Sequence, residues 1–287
     1  MTATEVLIGQ EPVDTKPVEG DSRFWSVTTI IGVLDKPALQ YWAANETAAA
    51  AVRDVEAWQA IERSSGTDEA KRWIAGARYR TPRGERTAKD LGTAVHEACE
   101  KYALTGKVPE LDDETRPFFE QFDGWLQKFS PVYQATEVTV YSPTYGYAGT
   151  CDGFFTIDGE RLIFDLKTSK KSYDGRGNPT PIYPETALQL AAYRYAELAA
   201  VWRPRRFEEF RRRYYLLSHA EANEALPVPE VDGGLAIKIT PEHCIGYTMR
   251  CGEAVHRSFL YAIEMARWQF EQSKHAVGDP LEREDAA

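Results

Sequence analysis

The 287-residue chain has the composition of an ordinary globular protein, with 43% apolar and 27% charged residues. Acidic residues outnumber basic ones by 44 to 34, which gives a formal net charge of −10. This balance excludes a histone-like protein that coats nucleic acid by charge alone, although a local basic groove is compatible with it. No segment approaches the length of apolar run that a membrane span needs, and the N-terminus lacks the basic start and apolar run of a secretory signal. We therefore expect no membrane association and a cytoplasmic location.

The order of the predicted elements indicates helices packed around a sheet. Helical periodicity covers segments at residues 37–60, 92–103, 113–129, 184–201 and 252–272. Strand patterns cover residues 136–141, 148–157, 162–167, 213–218 and 235–240. Helices flanking a central, mixed β-sheet make an α/β (α+β) fold, without the regular βα alternation of a doubly wound one. We expect one domain over residues 23–272, between flexible tails at 1–22 and 273–287.

Three charged residues lie on a predicted hairpin, whose turn is Asp158-Gly159. Asp152 is in its first strand, and Asp165 and Lys167 are in its second. Because side chains alternate across a strand, Asp165 and Lys167 share one face. Two carboxylates on neighbouring strands repel unless positive charge lies between them, and a hard cation such as Mg²⁺ binds carboxylates, waters and phosphate oxygens. Lys167 is then placed to act on a metal-bound water or on a phosphate.

Four short motifs follow one another along the chain: Gly92-Thr-Ala-Val-His96, Gly149-Thr-Cys-Asp152, Asp165-Leu-Lys167 and Gln189-Leu-Ala-Ala-Tyr193. In this order and spacing they resemble the RecB-like branch of the PD-(D/E)XK nuclease superfamily. The resemblance covers roughly residues 24–272 and is greatest to RecB-like exonucleases of bacteriophages that infect actinobacteria. It implies a restriction-endonuclease-like core, a central mixed sheet flanked by helices. One motif alone would be weak evidence, since Asp-x-Lys is frequent by chance.

The resemblance also implies a set of metal ligands. It makes His96, Asp152, Asp165 and the backbone carbonyl of Leu166 the ligands of Mg²⁺ or Mn²⁺. Glu137, on the preceding strand, corresponds to an acid that reaches the metal through water. Three of these side chains have a structural alternative: His96 as a surface histidine on a helix, Asp152 as a turn-forming acid beside a glycine, and Glu137 as an exposed strand acid. For Glu137 the exposed strand acid is the favoured reading.

The remaining site residues act beside the metal in that resemblance. Lys167 becomes the catalytic lysine, with a solvated charge at the strand end as its alternative. Gln189 and Tyr193 are one helical turn apart, so both face the site, where they position DNA or brace the catalytic strand. For both residues a purely structural role is an equal alternative, since a tyrosine on an Ala/Leu-rich helix is often simple packing.

Residues 71–90 carry seven basic and two acidic side chains and provide candidate DNA contacts. The candidates are Arg78, Arg80, Arg83, Arg86 and Lys89, joined by Lys170 in the loop that follows the catalytic strand and by Tyr193. Basic side chains bind DNA phosphates, and the interleaved aromatic residues could stack on the bases of a single strand. The alternative for residues 71–90 is a solvated loop.

The four cysteines determine a subclass. Some RecB-like nucleases carry an iron–sulfur cluster held by one cysteine before the motifs and three after them. Here Cys99 and Cys151 lie among the motifs, and only Cys244 and Cys251 follow. A four-thiolate cluster needs converging ligands, so we expect buried free thiols and no cluster.

The sequence therefore predicts a metal-dependent DNA exonuclease that acts on single- or double-stranded ends in phage DNA replication or recombination. Phage recombination or replication proteins are the expected partners, in the cytoplasm of the infected host. A structure- or sequence-selective endonuclease of the same fold is one alternative. A non-catalytic DNA-binding module is another, disfavoured because Asp152, Asp165 and Lys167 are all present.

Overall fold

A computed structural model describes residues 22–79, 86–200, 205–209, 212–217 and 225–278. The helices are α1 (Val27–Ile31), α2 (Pro37–Arg53), α3 (Val55–Ser65), α4 (Thr67–Ala75), α5 (Ala88–Thr105), α6 (Arg116–Phe129), α7 (Glu185–Arg194) and α8 (Glu253–Phe270). The strands are β1 (Ser22–Ser26), β2 (Val132–Ser142), β3 (Tyr147–Ile157), β4 (Glu160–Thr168), β5 (Leu198–Ala199), β6 (Arg205–Glu209), β7 (Arg212–Leu217), β8 (Leu226–Pro227), β9 (Gly233–Ile239) and β10 (Cys244–Met249). Short 3₁₀ turns cover Gly76–Tyr79 and Gln272–His275.

The strands form one mixed sheet. Its main path runs β10-β9-β4-β3-β1-β7-β6, and β2 joins the sheet at β3 and continues to β5 and β8. The pairs β4·β9 and β1·β3 are parallel, whereas the hairpins β2·β3, β3·β4 and β9·β10 are antiparallel. The predicted α/β class, a central mixed sheet flanked by helices, is confirmed at this level. No helix in the described ranges is both long and apolar enough to cross a membrane.

The contacts of the chain divide it into two compact units. One contains Met1–Val33 and Val95–Ala287, and the other contains Leu34–Ala94. The first unit holds the sheet with α1, α6, α7 and α8. The second holds α2, α3 and α4, and its buried apolar side chains in the described residues are few and small apart from Leu91.

Helices pack on both faces of the sheet in the first unit. On β9, Leu190 of α7 packs over Gly234. On β10, Trp125 of α6 packs over Gly246, which is paired with Ile237. Gly234 and Ile237 are three residues apart on one strand and therefore point to opposite faces. α6 and α7 thus cover opposite faces of the sheet.

The predicted helix over residues 37–60 is two helices. The backbone of Asp54 leaves the helical region, and α3 begins at the next residue. The indole N–H of Trp58 donates to the carbonyl of Ala51 at 3.1 Å, which fixes the corner between α2 and α3. Hydrophobic periodicity continues across the break, so the pattern alone did not show it.

The other differences lie at helix ends. α5 starts at Ala88 rather than near Gly92, because Thr87 caps it: the Thr87 hydroxyl accepts from the Asp90 N–H at 3.1 Å and donates to its carboxylate at 2.7 Å. α7 ends at Arg194 rather than at residue 201. The chain beyond it pairs as β5 with β2, with Ala199 opposite Val140. A local helical pattern was overridden there by strand pairing.

Candidate functional site

The candidate site lies where β3 and β4 separate. Their antiparallel pairing runs from Ile157 and Glu160 back to Gly153 and Phe164, and it ends there. Closer to its start, β3 pairs on the same edge with β1, through Trp25 opposite Tyr147. β4 stays paired with β9 from Leu162 through to its last residue, Thr168. The sheet is therefore forked between β3 and β4, directly beyond Gly153.

Asp152 occupies this fork. One of its carboxylate oxygens accepts a hydrogen bond from the backbone N–H of Leu166, which replaces the missing ladder contact between the strands. The other oxygen lies 3.4 Å from Nδ1 of His96 on α5. Since the N–H and C=O of one strand residue point to the same edge, the carbonyl of Leu166 also faces the fork. Three of the predicted ligand groups thus lie at the fork: the Asp152 carboxylate, the His96 imidazole and the Leu166 carbonyl.

Asp165 and Lys167 lie on the face of β4 that α7 covers, as the strand alternation predicts. The Lys167 ammonium forms an ion pair with Asp165 Oδ2. Gln189 of α7 joins both: its Nε2 donates to Asp165 Oδ1 at 2.8 Å, and its Oε1 accepts from Lys167 Nζ at 3.0 Å. Asp165 is only 3% exposed. Gln189 therefore fixes the relative position of the acid and the lysine.

Tyr193 holds Gln189 in place from the next turn of α7. Gln189 Nε2 donates to the Tyr193 hydroxyl at 3.0 Å. The Tyr193 ring lies against Gly149, where an added Cβ would meet its Cε1 at 2.4 Å. Because Tyr193 is 2% exposed, its position favours bracing over direct contact with DNA. The first glycine of the Gly-x-x-Asp motif is thus explained by the room it leaves for Tyr193.

The glycine after Asp152 changes the phase of β3. Gly149 faces Tyr193 on the α7 side, whereas Phe155, six residues later, contacts Trp125 on the α6 side at a ring distance of 6.3 Å. A regular strand would point both to one face. Gly153 has φ +150, and a Cβ there would lie 2.2 Å from the carbonyl oxygen of Ala135. This irregularity lies directly beside Asp152 at the fork, and it was not predicted from the sequence.

Glu137 of β2 lines a small cleft together with Asp152 and His96. Its φ is +51, an unusual conformation for a non-glycine residue inside a strand. Glu100, four residues after His96 on α5, lines the same cleft. Glu100 was not predicted from the sequence, although its spacing of four residues from His96 on one helix face was a usable signal.

Charges in the site perturb one another. Burial lowers the pKa of His96, but the Asp152 carboxylate outweighs it and the net shift is upward. Burial raises the pKa of Asp152, while His96 and the Leu166 N–H lower it more. For Asp165 burial prevails over Lys167, so its pKa is raised. Burial of Lys167 is outweighed by Asp165, and the pKa of the ammonium is raised. Perturbed groups gathered in this way are typical of functional sites.

The donor chemistry fits a hard divalent cation. In the described residues no group of three or more His, Cys, Asp or Glu side chains is arranged as a complete ligand set. Mg²⁺ commonly takes only one or two protein carboxylates and completes its shell with water and phosphate oxygens. The buried carboxylate of Asp165 and the half-buried carboxylate of Asp152, together with the Leu166 carbonyl, meet that requirement.

The residues predicted to contact DNA are divided between the two units of the chain. Arg86 and Lys89 belong to the second unit, and Lys170 is exposed in the first, two residues after β4. Arg80 and Arg83 lie outside the described residues, as does the side chain of Arg78. These contacts remain predictions.

The four cysteines are free thiols distributed over α5, β3, β10 and the turn before α8. Cys99, Cys151 and Cys251 are buried, and Cys244 is half-buried. Burial raises the pKa of Cys244 to about 12 and holds the pKa values of Cys99 and Cys151 well above their ordinary range. Thiols in this state are poor nucleophiles.

No protein-family model matches this sequence, and no curated protein does. Several solved structures match the chain. One of them, described as the crystal structure of SSO0001, aligns over 90% of this chain and 80% of its own, with 12% sequence identity and a TM-score of 0.36.

Proposed function

We propose that this protein is a divalent-metal-dependent deoxyribonuclease of the PD-(D/E)XK superfamily, RecB-like branch, and that it hydrolyses DNA from its ends. The observation that carries the proposal is the forked sheet. It brings Asp152, the Leu166 backbone and His96 together on one side and leaves Asp165 and Lys167, joined by Gln189, on the adjoining stretch of β4. The four motifs seen in the sequence thus meet within one group of contacts.

In this proposal Asp152, Asp165 and the Leu166 carbonyl would hold Mg²⁺ or Mn²⁺, with His96 beside Asp152. The bound ion would activate a water molecule and stabilise the leaving oxygen of the phosphodiester. Lys167 carries a positive charge next to Asp165 and would stabilise negative charge on the attacked phosphate. Gln189 orients Lys167, and Tyr193 orients Gln189. Glu137 would act at the cleft through a water molecule.

The proposed place of action is phage DNA replication or recombination in the cytoplasm of a bacterial host, with DNA as the partner. The resemblance of the four motifs to those of RecB-like phage exonucleases supports this proposal.

The decisive experiment is the digestion of end-labelled DNA. Linear single- and double-stranded substrates labelled at the 5′ or the 3′ end, with free or blocked ends, are incubated in Mg²⁺ or Mn²⁺. We expect release of short products from free ends, and inhibition by EDTA. Cleavage of closed circular plasmid under the same conditions would identify the endonuclease alternative. DNA binding without cleavage in either metal would leave only the binding-module alternative.

A further inference from the structure

The outer face of α8 carries a stripe of exposed apolar side chains. Tyr261, Met265 and Trp268 are 67%, 56% and 47% exposed. Their spacing of four and then three residues sets them in one line on the helix. The opposite face of α8 packs against the rest of the first unit through buried side chains such as Phe259 and Ile263. A contiguous stripe of large apolar side chains on a solvent-exposed surface is typical of a protein interface.

The stripe has the spacing of a coiled-coil seam. Ser258 extends it by three residues toward the start of α8, so the steps alternate between three and four. An antiparallel copy of the helix with Met265 opposite Tyr261 places Ser258 opposite Trp268. Each of these two pairs sets a larger side chain against a smaller one. Because of the two-fold axis, each pair occurs twice in the interface. The seam therefore complements itself in size.

The charges along the stripe complement themselves as well. Arg257 lies near the start of α8, and Glu271 directly follows its last residue; their spacing of two heptads places them on the same flank. Within its own chain Arg257 Nη2 lies 3.9 Å from Glu253 Oε1, an exposed pair that contributes little. In the antiparallel arrangement the Arg257 of each copy approaches the Glu271 of the other, which gives two symmetric ion pairs. Glu264 lies near the axis, but its own chain neutralises it, because Arg267 Nη1 lies 2.5 Å from its Oε1. Opposite charges on the flanks of a seam fix the orientation of the two helices.

We propose that two copies of this chain associate through α8, antiparallel and about a two-fold axis. The two surfaces are the same patch, as an isologous interface requires. Each copy contributes a single helix face, so the interface is small and its dissociation constant is expected on the order of micromolar.

The test is sedimentation equilibrium of the full-length protein without DNA, over about 1 to 200 μM, a range that brackets that expected affinity. The parent protein is expected to shift from the 32.4 kDa monomer toward twice that mass. Met265→Glu places a charge in the seam and is expected to weaken association at least tenfold. Val52→Glu, a control at an apolar residue that is 80% exposed in the other unit, is expected to leave it unchanged.

A charge exchange tests the antiparallel orientation. Arg257→Glu and Glu271→Arg are each expected to weaken the dimer, and the double variant is expected to regain association. A parent protein that is monomeric throughout the range overturns the proposal. So does an oligomer that Met265→Glu leaves intact, since it would use another surface. Far-ultraviolet circular dichroism of each variant confirms that the fold is retained.

Discussion

The Asp152 carboxylate accepts the backbone N–H of Leu166 across the gap between β3 and β4. A side chain thus takes the place of a ladder hydrogen bond, and the backbone of β4 stays satisfied although its neighbour has moved away. The same contact directs the Leu166 carbonyl toward the fork. Asp152 therefore both satisfies the free backbone N–H of Leu166 and holds the Leu166 carbonyl, a candidate ligand group, toward the fork.

Replacement of Asp165 by alanine is expected to abolish cleavage and to weaken Mn²⁺ binding. The substitution removes one of the two carboxylates that would hold the ion, and Asp152 alone is a poor site. DNA binding in the absence of metal should persist or strengthen, because a negative charge is lost from a phosphate-facing pocket. Calorimetric Mn²⁺ titration and DNA binding in EDTA measure the two effects.

The matched control is Asp113→Ala, which removes an exposed acid outside the candidate site and should change neither quantity. Cleavage that persists in purified Asp165→Ala, with contaminating nucleases excluded, would contradict a metal nuclease at this position.

Lys167→Ala is expected to reduce turnover severely while Mn²⁺ affinity is largely retained. The lysine contacts Asp165 and Gln189 but offers no lone pair to the metal while charged. The same titration should therefore distinguish the two variants, because Asp165→Ala loses Mn²⁺ affinity and Lys167→Ala retains most of it. Equal loss of Mn²⁺ affinity in both would contradict this division of roles.

The β3·β4 hairpin was predictable because its determinants are local. Asp158 and Gly159 both have positive φ, as the tight turn between two alternating strands requires. The face shared by Asp165 and Lys167 also followed from strand periodicity alone. Both features depend on residues that are neighbours in the sequence.

The fork could not be predicted in the same way. It forms where β1 takes the edge of β3 beside Tyr147, through Trp25, more than a hundred residues earlier in the chain. No local pattern reports such a pairing. The early end of α7 has the same origin, since β5 pairs with a distant strand at Val140. The candidate site residues were predicted from their motifs, and their geometry is fixed by long-range strand pairing.

Gly149→Ala is expected to destabilise the protein by about 1 to 3 kcal/mol, the usual range for forcing an extra methyl into a packed site. The new Cβ would meet the Tyr193 ring at 2.4 Å, so the ring must move and its hydrogen bond to Gln189 is disturbed. Turnover should fall more than the loss of stability explains, because Gln189 positions Lys167. Urea unfolding and cleavage rates of the folded variant give the two values.

Gly175→Ala is the control for that substitution. An added Cβ at Gly175 meets nothing within 4 Å, and its φ is not in the positive range. A neutral Gly149→Ala would show that Tyr193 is not held against β3 as described.

The last prediction concerns His256, which is buried on α8 and is not one of the candidate site residues. Its ring stacks on Tyr195 with centroids 4.9 Å apart, and its Nε2 lies 3.3 Å from the Tyr147 hydroxyl. Burial lowers the pKa of His256 below its ordinary value of 6.5, and Glu253 offsets this only in part.

A histidine that resists protonation in the folded state takes up its proton on unfolding. It therefore contributes stability that is present above about pH 6.5 and is lost as the pH falls through that value toward the folded-state pKa. In this window His256 should contribute a loss of stability with a slope of at most about 1.4 kcal/mol per pH unit, the limit for one proton. His256→Gln should remove that contribution, and shifts at His96 and the carboxylates cancel because both proteins contain them. Urea unfolding of the two proteins between about pH 7.5 and pH 5.5, a range that spans the ordinary histidine pKa, measures the difference. Parallel pH profiles would show that His256 is protonated equally well in the folded and unfolded chains.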